Sequence, residues 1–261
     1  MEGLGAPVTR RPCSIRRVLP NNTRILMHLR RKLVYIAFIA LVLLPVRAAF
    51  AADDLEKVLH RLDIAAANFR TTSADFQFDT IETEPVPDQD VQEGTVYYQR
   101  KGAAFQMAAH IREVNGKVVP KVYTYSAGIF RLYEKLTNQV RNFTKASKFE
   151  SYLMLGFGAS GKDMEQKWEI KYLGSEILSD GKSAVKTEKL ELVAKDPAVR
   201  KVLPKVTIWV DPDRAVSLKQ VFDEGPGAYR VCLYSHFKTN QPLPPDAFTF
   251  KTDRQTEIIN Q

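Results

Sequence analysis

Apolar residues recur at Leu55, Val58, Leu59, Leu62, Ala65, Ala66 and Phe69, spacings of three and four that put them on one side of a helix. Asp53 and Asp54 stand in front of this stripe as acidic cap residues, so the pattern predicts an amphipathic helix. After Arg70-Thr-Thr-Ser73 the period switches to two. Ala74, Phe76 and Phe78 alternate with Asp75, Gln77 and Asp79, the signature of a half-buried strand. Further strand patterns lie at 94–100, 103–113, 121–126, 128–135, 139–145, 168–175, 184–195, 205–211, 215–223 and 228–237. Turn signals such as Asn115-Gly116, Asp180-Gly181 and Glu224-Gly-Pro-Gly227 join them. About eleven strands in hairpin succession predict a single antiparallel sheet, strongly curved or closed toward a barrel, with one apolar face for helices to cover. A second candidate helix, 148–157, carries Phe149, Tyr152, Leu153, Met154, Leu155 and Phe157 on most sides and is expected to lie buried against that sheet. The expected fold class is α+β in one domain.

Upstream of this the pattern is of another kind. Arg30-Arg31-Lys32 precedes the 14 apolar residues Leu33 to Val46, and Ala49 and Ala51 flank Phe50. A basic head, a short apolar core and a small-residue cleavage site are the three parts of a secretory signal peptide. Cleavage is expected between Ala51 and Ala52, leaving a mature domain over 52–261. The apolar core falls short of the roughly 20 residues that a membrane-spanning helix needs. No cysteine lies near the cut to be acylated, so a soluble exported product is expected. Met27, directly before the basic head, is a second candidate start.

This cut changes the meaning of the charge. The whole chain carries 38 Lys and Arg against 30 Asp and Glu, but residues 1–51 hold nine of the basic groups and one of the acids. The remainder holds 29 of each. A chain that is neutral once its leader is gone has no electrostatic footprint for nucleic acid. Cys232 stands alone in the mature part, between Val231 and Leu233, and reads as a small core residue, with no internal disulfide available.

Gly156-Phe-Gly-Ala-Ser-Gly161 matches G-x-G-x-x-G and, with Lys162, nearly matches a phosphate-binding loop. Such a loop needs a strand before it and a helix after it. Here the preceding segment reads as helical, and the carboxylate of Asp163 stands where a metal-binding hydroxyl belongs. His60, His110 and His236 have no zinc spacing. No G-x-S-x-G elbow occurs. No enzyme activity, cofactor or metal is expected, with an exported hydrolase as the minor alternative.

Phe69 through Phe78, Gln92-Glu-Gly-Thr-Val-Tyr-Tyr-Gln-Arg100 with Phe105, and Val206 to Asp211 through Leu218 with Leu243-Pro-Pro-Asp-Ala-Phe-Thr-Phe250 follow one another in the order found in the LolA-like periplasmic lipoprotein carriers. The chain resembles a divergent member of that family over 53–251. Two positions depart from the family pattern: Lys101 replaces a proline, and Ser126-Ala127-Gly128 replaces an Asp-Gly turn. The resemblance implies a half-open β-barrel covered by a few helices, whose apolar face holds the acyl chains of lipoproteins in the periplasm. It also implies an inner-membrane exporter that loads the cargo and an outer-membrane acceptor that takes it. A monomer is expected, and a sensing module of the same shape is the alternative.

A curved sheet with more inward apolar side chains than two or three helices can cover leaves an apolar cavity. The candidate lining is Phe76, Phe78, Val96, Tyr98, Phe105, Met107, Leu153, Met154, Phe157, Ile208, Leu218 and Leu233. Alternation from Val96 and Tyr98 places Arg100 on the same face, where a guanidinium would seek the free carbonyls at the end of a covering helix. By resemblance, Arg100 is the arginine that latches a lid in the empty state. Gly156, Gly158 and Gly161 are the candidate lid hinge.

Overall fold

The computed structural model describes residues 53–102, 104–144, 146 and 150–261. The expected leader and the expected Ala51/Ala52 cleavage site, with Ala103, Lys148 and Phe149, lie outside the described residues. Among the described residues no helix is long and apolar enough to cross a membrane.

The first helix, α1 (53–68), sits where the three-and-four spacing predicts. Val58, Leu59, Leu62, Ala66 and Phe69 are buried, and all but Ala66 join the main core. Strands β1 (Thr71–Glu82), β2 (Asp88–Lys101), β3 (Ala104–Val114), β4 (Lys117–Ser126), β5 (Ile129–Glu134) and β6 (Gln139–Phe143) follow as one meander. Two short helices intervene, α2 (Glu150–Leu153) and α3 (Gly161–Lys167). The second meander is β7 (Trp168–Ser179), β8 (Ala184–Ala194), β9 (Lys205–Asp211), β10 (Val216–Gly225) and β11 (Ala228–Thr239), with α4 (Pro197–Val202) between β8 and β9. Asp196 accepts from Ala198 N and Pro197 opens α4, two start signals that the pattern reading passed over. A last strand, β12 (Glu257–Asn260), closes the chain.

All twelve strands form one sheet, in the order β12-β6-β5-β4-β3-β2-β1-β11-β10-β9-β8-β7. This corrects the expected half-open, strongly curved antiparallel barrel. The sheet is open, neither closed nor strongly curled, with β12 at one end and β7 at the other. It is also mixed, because β12 pairs parallel to β6. The physical reason is the break between β6 and β7: α2 and α3 separate these strands, which do not pair, while β1 pairs with β11 and joins the two meanders at the centre of the sheet. Strands from the middle of the sequence are thereby pushed to the outside. Parallel pairing of β12 requires a long crossover, supplied by residues 240–256.

Alternation and register define two faces. Phe76 opposes Tyr234 across β1 and β11, Tyr98 opposes Met107 across β2 and β3, and Gln220 opposes Ile208 across β10 and β9. These side chains share one face with Leu190, Leu192 and Trp168, and almost all are buried in one continuous core. On the other face, Lys189 and Lys219 lie over the Trp209 ring, each 4.7 Å from its centre. The crossover partly covers that face: Phe250 stacks on Tyr133 and Ala247 O meets His110 Nε2 at 2.9 Å.

Candidate functional site

The apolar segment after β6 forms a lid on the first face, though not as a continuous helix over 148–157. Helicity stops at Leu153, and a turn carries Leu155 and Phe157 down onto the sheet. The turn requires glycine. Gly156 and Gly158 adopt φ of +76° and +71°, a region that side chains with a Cβ avoid. A Cβ on Gly158 would stand 2.5 Å from the Phe69 ring, and one on Gly156 2.5 Å from Ser217 Cβ. The third candidate hinge residue, Gly161, opens α3 against the Leu59 carbonyl of α1. These glycines therefore permit close approach in the closed lid, whatever freedom they allow elsewhere.

The lid is hooked to β10 by backbone. Ser217 N donates to Gly156 O at 2.7 Å, and Gly158 N donates to Ala215 O at 2.8 Å. Phe157 is fully buried. Its ring stacks on Tyr98 with centroids 4.0 Å apart and meets Tyr234 edge-on at 4.8 Å. Tyr152 packs edge-on against Phe222 at 5.4 Å. The first residue of α2, Glu150, accepts a hydrogen bond from the Tyr125 hydroxyl. Burial and this carboxylate both hold the Tyr125 phenol well above its ordinary range.

Arg100 ends β2 on the same face as Val96 and Tyr98, and its Nη2 donates to Gly158 O at 2.7 Å. Beside it a cavity of about 290 Å³ opens, walled by Phe105, Met154, Leu155, Met164 and Trp168 and edged by Glu150, Asp163 and Lys167.

The structure brings together most of the candidate lining. Phe76, Val96, Tyr98, Phe105, Met107, Phe157, Ile208 and Leu218 belong to one core cluster, with Phe78, Leu153 and Met154 packed against it. Leu233 is placed elsewhere. It opposes Gln77 and Lys219, is 43% exposed and faces away from the lid. Cys232 and Tyr234 occupy the lid face, and a one-residue step along a strand reverses the side. Leu218, buried where β10 bulges between Ser217 and Lys219, borders with Leu233 a groove of about 590 Å³. Gln220 and Tyr234 were missed. A glutamine between Leu218 and Phe222 at strand period, on an otherwise apolar side, was the available signal.

Burial pushes the Cys232 thiol up to about 12, so it stays protonated and is no nucleophile at neutral pH. Among the described residues no group of three or more His, Cys, Asp or Glu is placed to hold a metal.

No family profile and no curated protein matches this chain in sequence. Solved structures do match in shape. An uncharacterised conserved protein from Thermus thermophilus aligns over 79% of this chain and 98% of its own, at 12% identity and a TM-score of 0.49. A putative outer membrane lipoprotein-sorting protein domain from Vibrio parahaemolyticus aligns over 74% of this chain and 97% of its own, at 12% identity and a TM-score of 0.40. The Pseudomonas aeruginosa MucA/MucB complex aligns over 76% of this chain and 61% of the matched one, at 13% identity and a TM-score of 0.43. At these values no residue's role passes from those proteins to this one.

Proposed function

We propose that the chain is exported to the periplasm and carries lipoproteins, sheltering their acyl chains against the lid face between an inner-membrane exporter and an outer-membrane acceptor. The observation that carries this reading is the lid. Leu155 and Phe157 lie fully buried on an aromatic sheet face, yet the segment that brings them there has a single helical turn and is held mainly by bonds to its backbone carbonyls and amides. In the closed state these two side chains occupy the place of hydrocarbon. The space left beside Arg100, about 290 Å³, sits at the lower end of the roughly 300–1,000 Å³ usual for ligand pockets. Cargo therefore enters by displacing the lid. Each methylene buried beyond those that replace Phe157 and Leu155 on the sheet contributes about 0.8 kcal/mol, so a long acyl chain binds with few polar contacts. Arg100 is the latch: its bond to Gly158 O exists only while the lid is down, so it favours release.

Mass spectrometry of material extracted from the purified protein tests the reading. Acylated peptide or lipid is the expected finding; an empty protein that turns over an ester library overturns it. Arg100→Leu tests the latch. Loss of one charge-assisted hydrogen bond should shift the closed-to-open ratio about tenfold. The variant should bind an acyl probe at least as tightly and pass it on more slowly. Transfer at the wild-type rate removes the latch from the account.

A further inference from the structure

Gln220 is an amide at the centre of an apolar surface. It is 4% exposed, lies under the lid and shares its face with Tyr98, Tyr234 and Phe157. Both ends of its amide are engaged. The Tyr234 hydroxyl donates to Oε1 at 3.1 Å, and Nε2 donates to Leu155 O at 2.6 Å. The first bond dictates the second, because a phenol donating to the oxygen turns the amide nitrogen toward the lid. The groups packed beside it stay neutral: burial holds the phenols of Tyr98 and Tyr234 far above their ordinary range and the Cys232 thiol at about 12.

When the lid leaves, Leu155 O leaves with it, while Gln220 stays on β10 with its donor pointing where the cargo lies. A buried N–H without an acceptor is costly, and a hydrocarbon tail offers none. An acyl chain, however, ends in a carbonyl. Ester and amide carbonyls are neutral acceptors of the same kind as the peptide carbonyl of Leu155. They suit a floor that has donors and no counter-charge.

We propose that Gln220, oriented by Tyr234, recognises the ester or amide carbonyl at the head of the cargo's acyl chain, which takes the place that Leu155 O holds in the closed protein. This rests on the carrier reading and names the chemical group that the carrier selects. Gln220 thereby links the two states. The same donor holds the lid when the site is empty and the cargo when it is full, so neither state leaves it unpaired. Arg100 differs, since it contacts the lid's Gly158 carbonyl at the rim.

The test compares a fluorescent dipalmitoyl glycerolipid bearing ester links with its di-ether analogue, which keeps the hydrocarbon and removes the carbonyls. Wild-type protein should prefer the ester by roughly three- to tenfold, the worth of about one buried hydrogen bond. Gln220→Met, matched in length and without a donor, should bind both probes alike. Gln220→Met with Tyr234→Phe removes both polar partners and carries the comparison if the single variant does not fold. Equal wild-type affinities, or a preference that survives in the variants, overturn the role of Gln220 and leave the carrier reading standing. Failure of wild-type protein to bind either probe overturns both.

Discussion

Two coverings of the same sheet face differ in how they are fastened. Helix α1 and the residue after it present an apolar stripe, Val58, Leu59, Leu62, Ala66 and Phe69, and the helix is tied down at its middle by charge. Arg61 donates to both oxygens of Asp213, at 2.9 and 2.7 Å, and lies 3.5 Å from the buried Glu188 carboxylate. Glu188 is held in turn by Tyr172 and Ser175. The lid has one helical turn, two fully buried apolar side chains, and bonds that run mainly from its backbone to β10, Gln220 and Arg100. Both coverings exclude water from the sheet. Backbone hooks on a short segment can be released and remade without unmaking a helix, whereas α1 cannot leave without breaking the Arg61 ion pairs to Asp213 and Glu188 and exposing its apolar stripe. On the proposed reading the face has a permanent cover and a removable one, and they touch where Gly158 meets Phe69.

The hardest blow to this comparison falls on α1. Leu62→Ala, at a site 1% exposed, should cost about 2–5 kcal/mol in a denaturant melt, since the cavity cannot collapse under a tethered helix. Phe157→Ala should cost less than Leu62→Ala, although a fully coupled aromatic would lose about 3–5 kcal/mol, because the loss cannot exceed the lid's own docking free energy. A larger loss at Phe157 would show lid and α1 to be one cooperative unit. Gly158→Ala sharpens the point of contact. Positive φ and the Phe69 ring together should cost about 1–3 kcal/mol, and amide hydrogen exchange at Ser217, which donates to the lid, should rise before global unfolding. Unchanged exchange at Ser217 would mean that the hook does not depend on this turn.

The smallest effect is electrostatic. The Arg61 guanidinium, through its hydrogen bonds, holds the Asp213 carboxyl below the usual range. A carboxylate whose pKa is lowered on folding stabilises the protein above its unfolded pKa, near ~4, and loses that contribution as pH falls through the lower folded value. Because Asp213 is largely exposed, solvent screening limits the pair to about 1 kcal/mol or less. Stability of the wild type should therefore fall as the pH drops from about 5 to about 3, and Arg61→Gln should flatten that slope. Identical slopes would remove Asp213 from the tether of α1.

Local periodicity makes several features legible in the sequence itself. The helix over 53–68 follows from spacings of three and four, and the shared face of Ala74, Phe76 and Phe78 from a period of two. Alternation alone placed Arg100 beside Val96 and Tyr98, since successive side chains on a strand point to opposite sides. Such properties depend on residues within a few positions of one another.

What only the tertiary structure decided depends on partners far apart in the chain. Nothing local announces that Phe76 lies opposite Tyr234, the pairing that joins the two meanders at the centre and leaves β6 and β7 toward the outside, unpaired with each other. The short, polar-flanked Glu257–Asn260 becomes a strand only because β6 offers it a parallel edge. Leu233, expected to line the cavity, faces the other way because the register of β11 turns Cys232 and Tyr234 to the lid side instead. Gly156 and Gly158 read as freedom in sequence; their close approach to Ser217 and Phe69 follows only from the elements that the fold brings to them. Gln220 is the sharpest case: as a residue it was merely polar, and its partners Leu155 and Tyr234 lie 65 and 14 positions away. A side chain's chemistry is set by its own atoms, but its role is set by what long-range pairing brings within hydrogen-bonding distance.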